Sequence, residues 1–167
     1  MIDSEEIGEL FSKITEEFEE PVRIGSRCES QVYYRVEDLS DEDLNVCARY
    51  VGERILEVGN NQFPDLILKL PGGFSFFAER LAVVFSELNP SGKEVPLEQY
   101  LESKLFNGHG ERYKGCSAVL VTDVITTARS SLEAHTKATL RGINIFCWAA
   151  LIAVSYTHLT LPTNREV

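Results

Sequence analysis

The sequence VLVTDVITTARSSLEA, which spans Val119 to Ala134, decides the fold of this chain. Its apolar start is typical of a buried strand in a parallel sheet, and the strand ends at an acid, Asp123. Ser130 and Glu133 then form a capping-box pattern, which predicts the start of a helix. In this arrangement the backbone N–H groups of residues 126 to 130 point at the helix N-terminus, where they can wrap a phosphate. The side chains that can add hydroxyl donors are Thr126, Thr127 and Ser130.

Strands and helices alternate along the chain from Asp65 onward. Residues 65–70 form a short apolar strand, and a mixed pattern within residues 94–105 predicts another. The helix after Ser130 ends at Gly142, and the next strand covers residues 143–152. The helix between the first two strands has its apolar residues at helical spacing, namely Phe74, Phe77, Ala78, Leu81, Phe85 and Leu88. This alternation predicts an α/β fold, a parallel sheet flanked by helices with right-handed crossovers.

The N-terminal part contains two predicted helices and one predicted strand. The first helix starts at Ser4, and Pro21 lies just beyond its expected end. Its apolar face comprises Ile7, Leu10, Phe11, Ile14 and Phe18. Residues 31–36 are aromatic and β-branched, which is typical of a strand. Ser40 and Asp43 predict the start of the second helix, and Gly59 suits a left-handed residue at its end.

Composition excludes several classes of function. The chain has 167 residues and a formal net charge of −10, without a cluster of Lys and Arg. This argues against nucleic acid as the main partner, because binding to it depends on neutralising phosphates. No apolar stretch reaches the roughly 20 residues that cross a bilayer. The N-terminus does not resemble a signal peptide, and the four cysteines form no CxxC pair, so we expect a cytoplasmic protein with reduced thiols.

Residues 119–134 resemble the signature with which type I phosphoribosyltransferases bind phosphoribosyl pyrophosphate (PRPP). Asp123 matches the second of two adjacent acids, whereas Thr122 stands in place of the first. The positions that match the loop are Thr126, Thr127, Arg129 and Ser130, and Ala128 occupies the usual glycine. The resemblance implies that Asp123 holds the ribose hydroxyls and that the loop holds the 5′-phosphate. The alternative is a strand–turn–helix joint without a ligand, which is common in α/β proteins.

Two further segments follow the order of this family, most like orotate phosphoribosyltransferases. Residues 25–34 are similar to the stretch that faces the base, in which Ser30 and Tyr33 match and Glu29 replaces a basic residue. An edge strand with buried tyrosines is the alternative for this segment. Residues 64–82 resemble the pyrophosphate loop and its helix, and the turn there consists of Pro71, Gly72 and Gly73. A plain glycine turn is the alternative.

Residues 104–110 (KLFNGHG) resemble the mobile catalytic loop of the same family. Lys104, His109 and Gly110 match, whereas Asn107 replaces a lysine that stabilises charge on pyrophosphate. A solvated loop with an incidental histidine is the alternative.

The resemblance implies an orotate-type phosphoribosyltransferase that transfers ribose 5-phosphate from PRPP to a nucleobase and releases pyrophosphate. The implied catalytic residues are Asp123, Lys104 and His109. It also implies Mg²⁺ bound through pyrophosphate and ribose oxygens, without direct protein ligands, and a homodimer. The changes at Thr122, Asn107 and Ala128 favour an alternative, a non-catalytic regulatory protein that binds a phosphoribosyl group or nucleotide. A gene fragment that exposes a sheet edge and aggregates is the third interpretation.

The last fourteen residues form a separate segment. Residues 154–163 (VSYTHLTLPT) look like the translation of a sequencing-library adapter. We therefore expect a phosphoribosyltransferase-like domain over residues 1–153 and a non-native tail over residues 154–167, and assign no role to His158. An ordinary polar tail after a strand is the alternative.

Overall fold

The structure, a computed structural model, describes residues 4–24, 28–70, 76–99, 110–125 and 128–153. Its elements form a small antiparallel hairpin and a larger α/β unit. In chain order they are α1 (Ser4–Lys13), β1 (Thr15–Ile24), β2 (Cys28–Tyr34), a 3-10 turn (Val36–Asp38), α2 (Asp41–Val58), β3 (Leu66–Lys69), α3 (Phe76–Leu88), β4 (Leu97–Gln99), a 3-10 turn (Gly110–Tyr113), β5 (Ser117–Ile125), α4 (Arg129–Leu140) and β6 (Asn144–Ala153).

The larger unit is a four-stranded sheet in the order β4-β3-β5-β6, and every pair in it is parallel. Helices α2 and α3 cover one face, where Phe77, Leu81 and Phe85 pack on Ile67 and Val119. The alternate residues of the same strands, among them Leu66, Leu68 and Leu120, face α4. The side chains of α4 at this contact are the small Ala134 and Ala138. The predicted parallel sheet flanked by helices is therefore confirmed.

Close packing between α2 and α3 depends on Gly52. A Cβ atom at this position would lie 2.9 Å from the Cγ1 of Val84, nearer than packed carbon atoms approach. Helix α2 begins as the sequence predicts, because the Ser40 hydroxyl accepts a hydrogen bond from the N–H of Asp43 at 3.1 Å. Its end differs from the prediction. Gly59 has φ −84°, and the left-handed residues are Asn60 and Asn61.

The prediction of a first helix reaching Phe18 is wrong. Helix α1 ends at Lys13, and Phe18 lies in β1, which pairs with β2. Pro21, expected beyond a helix, lies inside β1 where the register of that pairing shifts between Glu17 and Val22. A proline has no N–H to donate, so strands accept it where the hydrogen-bond ladder is interrupted.

Candidate functional site

The connections of the two central strands define a crevice at one edge of the sheet. Strands β3 and β5 are neighbours, and the helices that follow them, α3 and α4, lie on opposite faces. Open α/β sheets bind their ligands outside the carboxyl ends of such a pair of strands. Lys69 ends β3, and Asp123 lies near the end of β5. The topology thus places both side chains at the edge where a ligand is expected.

Asp123 is the acid that the sequence selected, and its side chain is buried, with 8% of its surface exposed. Strand β5 continues two residues beyond it to Ile125, so the acid lies within the strand instead of ending it. Burial raises the pKa of the Asp123 carboxyl to about 7, and the positive charge of Lys69 opposes this rise. The carboxyl therefore exchanges its proton close to neutral pH. Perturbed acids in a crevice are typical of functional sites.

The turn after β5 contains a residue in a left-handed conformation. Ala128 has φ 55° and ψ 2° and is the N-cap of α4. This matches the resemblance, which implies a glycine at this position, because only glycine adopts positive φ without strain. An alanine side chain accepts no hydrogen bond, so it leaves the first N–H groups of α4 to other acceptors. A phosphate suits such a helix start.

The capping box predicted at Ser130 and Glu133 is wrong. The N-cap is Ala128, two residues earlier, so the helix begins at Arg129 and Ser130 lies exposed in its first turn. Glu133 instead accepts a hydrogen bond from Lys137 at 2.7 Å. Arg129 and Ser130, which the resemblance places in the loop, lie in the first turn of α4 beside Ala128, and their role in binding a phosphate stays a prediction.

The residues predicted to face the base lie on the other sheet. Tyr33 and Ser30 belong to β2, opposite Glu16 and Val22 of β1. Tyr33 is half-buried, and its neighbour Tyr34 packs on the core beside α2 and α3. The hairpin is therefore anchored to the α/β unit, and the role of Tyr33 and Ser30 in binding a base remains a prediction.

Several predicted site residues fall outside the described part of the chain. They are Pro71, Gly72 and Gly73 of the predicted pyrophosphate turn, Lys104 and His109 of the predicted catalytic loop, and Thr126 and Thr127 of the phosphate loop. The predicted tail, residues 154–167, also lies outside the described residues.

Within residues that the structure describes, no group of three or more His, Cys, Asp or Glu side chains is arranged to hold a metal ion. The thiols of Cys47, Cys116 and Cys147 are free. No helix in the described ranges combines the length and the hydropathy that a membrane span requires.

Lys69 was not among the residues that the sequence patterns selected. The sequence does contain a feature that could have indicated Lys69. It is a single cation at the end of an otherwise apolar strand, directly before the predicted Pro-Gly-Gly turn. A charge at the carboxyl end of a central strand lies where α/β sheets bind ligands.

Several solved structures that superimpose on this chain are phosphoribosyltransferases. Adenine phosphoribosyltransferase from Saccharomyces cerevisiae superimposes with a TM-score of 0.66 over 89% of this chain and 89% of its own, at 11% identity. Orotate phosphoribosyltransferase from Aeropyrum pernix superimposes with a TM-score of 0.59 over 89% of this chain and 93% of its own, at 16% identity. The chain has the phosphoribosyltransferase fold.

A third solved structure that superimposes on this chain contains the nucleotide ppGpp. It is a hypothetical protein from Neisseria gonorrhoeae with bound ppGpp, with a TM-score of 0.57 over 75% of this chain and 76% of its own, at 13% identity. No protein-family model and no curated protein sequence matches the chain. The fold is common to enzymes for different bases, so it does not select orotate.

Proposed function

We propose that this chain is a phosphoribosyltransferase that binds PRPP at the carboxyl ends of β3 and β5 and transfers ribose 5-phosphate to a nucleobase. The single observation that supports this most is the position of Asp123. It is a buried acid with a pKa of about 7, at the crevice of a phosphoribosyltransferase fold and five residues before a left-handed turn and a helix start.

Asp123 has the role of holding the ribose hydroxyls. An ionised carboxylate accepts hydrogen bonds at both oxygens, so it can bind two neighbouring hydroxyl groups of the sugar. A protonated carboxyl has one oxygen occupied as a donor and binds the pair less well. Because the Asp123 pKa is about 7, PRPP affinity should rise with pH through the neutral range.

The start of α4 has the role of binding the 5′-phosphate. The first N–H groups of a helix favour an anion, and the Ala128 side chain does not compete for them. The hydroxyl groups of Ser130, Thr126 and Thr127 would add donors, and Arg129 would add a positive charge. The turn of Pro71, Gly72 and Gly73 would present its N–H groups to the pyrophosphate.

The leaving group is pyrophosphate, and Lys104 and His109 would donate hydrogen bonds to it as charge develops. When bound through pyrophosphate and ribose oxygens, Mg²⁺ would neutralise part of the same charge. Closure of the loop of Lys104 and His109 over the sugar would exclude water and so favour attack by the base over hydrolysis. Ser30 and Tyr33 would contact the base. Orotate is our first candidate for it because of the similarity of residues 25–34.

The second candidate function is a regulatory protein that binds a phosphoribosyl group or a nucleotide without catalysis. Two observations favour it. Ala128 keeps a strained backbone where glycine is expected, and the Neisseria gonorrhoeae protein with bound ppGpp has the same fold. The replacements at Thr122 and Asn107 point the same way, because each removes a charge from the predicted site.

One assay separates the two functions. The protein is incubated with PRPP and Mg²⁺, in separate reactions with orotate, adenine, hypoxanthine and no base, and pyrophosphate is measured. Release that depends on one base supports the transferase. Binding of PRPP without release in any reaction supports the regulatory protein. Asp123→Asn, which keeps the shape of the side chain and removes its charge, should abolish release.

A further inference from the structure

Lys69 is the charged residue of an otherwise buried strand. Leu66, Ile67 and Leu68 of β3 are fully buried, whereas Lys69 is half-buried at the carboxyl end. The N–H of Leu70 donates to the carbonyl of Val121 at 3.0 Å, so the chain stays paired with β5 beyond Lys69. The backbone of Lys69 is therefore fixed at the crevice.

The register of the two strands brings Lys69 and Asp123 to the same face. Lys69 lies directly beside Val121, and Asp123 is two residues further, which is about 7 Å along the strand. Side chains alternate between the faces of a strand, so Asp123 shares the face of Val119 and Val121, and Lys69 shares the face of Ile67. A lysine side chain spans this distance readily.

The other charged groups on elements that pack against β5 are engaged elsewhere or exposed. On α3, Arg80 pairs with Asp41 at 3.3 Å, Glu87 pairs with Arg49, and Glu79 is exposed. On α4, Glu133 pairs with Lys137, Arg129 is exposed, and His135 accepts a hydrogen bond from Trp148. Strand β6 contains no Asp, Glu, Lys, Arg or His. Lys69 is the cation whose charge opposes the effect of burial on Asp123.

We propose that Lys69 is a positioning residue that favours ionisation of the buried Asp123, so that more of its carboxyl is available as carboxylate to accept hydrogen bonds from the hydroxyls of a ribose phosphate. This inference rests on the proposed function for the ligand, but the pairing of the two residues does not depend on it. Without a cation at residue 69, burial alone would favour the protonated carboxyl at neutral pH. Lys69 thereby acts on the ligand through Asp123.

The first experiment needs no ligand. The protein is labelled with ¹³C at aspartate carboxyl groups, and the Asp123 resonance, identified by its loss in Asp123→Asn, is titrated by NMR. Lys69→Met should move its midpoint to higher pH, and Lys69→Arg should keep it close to that of the unmodified protein. The control is Lys93→Met, which removes a lysine 3.8 Å from Asp65 at the opposite end of β3 and should leave Asp123 unchanged. A midpoint that stays the same or falls in Lys69→Met overturns the proposal.

The second experiment measures PRPP affinity against pH by titration calorimetry. Lys69→Met should bind several-fold more weakly than the unmodified protein at pH 7, and should recover at pH 9, where the Asp123 carboxyl is ionised in both. An equal loss at both pH values overturns the positioning role, because it indicates direct contact between Lys69 and the ligand. Circular dichroism verifies that the variant folds, and Lys69→Gln replaces it if it does not.

The two experiments separate the inference from the proposed function. If the NMR midpoint moves as expected but the unmodified protein binds no PRPP, the proposed function fails and the pairing of Lys69 with Asp123 stands. If PRPP binds but the midpoint is insensitive to residue 69, the pairing fails and the proposed function stands.

Discussion

The carboxylate of Asp65 accepts two hydrogen bonds from Ser117, one from its N–H at 3.0 Å and one from its hydroxyl at 2.9 Å. The N–H of Asp65 donates back to the carbonyl of Ser117 at 2.8 Å. Together these bonds join the start of β3 to the start of β5. They also hold the pKa of the Asp65 carboxyl below its usual range, and the hydrogen bond from the Ser117 N–H contributes most to this. Because register is constant along the two strands, this contact also fixes where Lys69 stands relative to Asp123.

Asp65→Ala should lower the free energy of unfolding by about 1–2 kcal/mol, because it removes two hydrogen bonds, one of them from a backbone N–H. Ser117→Ala, which removes only the hydroxyl bond, should cost about 1 kcal/mol or less. Urea denaturation measures both. The control is Glu87→Ala, which breaks an exposed ion pair with Arg49 and should change little. A cost for Asp65→Ala no greater than that of the control would contradict the role of this contact.

Ala128→Gly should stabilise the protein by roughly 1 kcal/mol, since alanine pays a steric cost at φ 55° that glycine avoids. The matched control is Ala134→Gly in the interior of the same helix, which should destabilise by about 1 kcal/mol or more. Thermal unfolding followed by circular dichroism measures both. Destabilisation by both substitutions would mean that residue 128 does not adopt the left-handed conformation.

Asp123→Asn should raise the stability of the unliganded protein at alkaline pH more than at acid pH. The folded-state pKa of about 7 lies above the unfolded value of about 3.9, so the folded state retains a proton that the unfolded state loses. The unmodified protein therefore loses stability as pH rises from about 4 to 7, by about 4 kcal/mol, and does not regain it above pH 7.

Urea denaturation at pH 4.5 and pH 8 tests this directly. The stability difference between Asp123→Asn and the unmodified protein should grow between the two pH values. The same difference at both would show that the Asp123 carboxyl ionises normally in the folded state.

Strand β6 should make the isolated chain self-associate. Among the described strands it pairs with β5 alone, and its ten residues, NIFCWAALIA, include no charged side chain. A long apolar edge of this kind is a template for pairing with another chain. The double substitution Asn144→Lys and Ala153→Lys, at the two exposed ends of β6, should reduce association in light scattering. Lysines placed at the exposed Gln62 and Thr139 are the control for added charge. Equal reduction by the control would exclude the edge as the cause.

Local signals predicted much of the fold. Ser40 caps α2 as predicted because a cap is decided within one turn of helix. The apolar run from Ala118 to Val121 is a central strand as predicted, because only burial on both faces suits it. Prediction of the site required several such signals together. A strand followed by an acid and a turn indicates a ligand-binding crevice only if the sheet is parallel.

Errors occurred where contacts distant in the sequence decide the outcome. Phe18 continues the helical spacing of α1, but pairing of β1 with β2 places it in a strand. Ser130 and Glu133 have the spacing of a capping box, yet the left-handed Ala128 caps the helix two residues sooner. No local pattern indicates a role for Lys69, because its proximity to Asp123 depends on β3 lying beside β5.

The central claim is that Asp123 and the turn behind it bind a sugar phosphate. Titration calorimetry at pH 8 with PRPP and Mg²⁺ tests it most directly, because Asp123 is mainly ionised at that pH. The account predicts saturable binding to the unmodified protein and none measurable to Asp123→Asn, with Lys93→Met binding normally. Absence of binding to the folded, unmodified protein, or equal binding to Asp123→Asn, would contradict it.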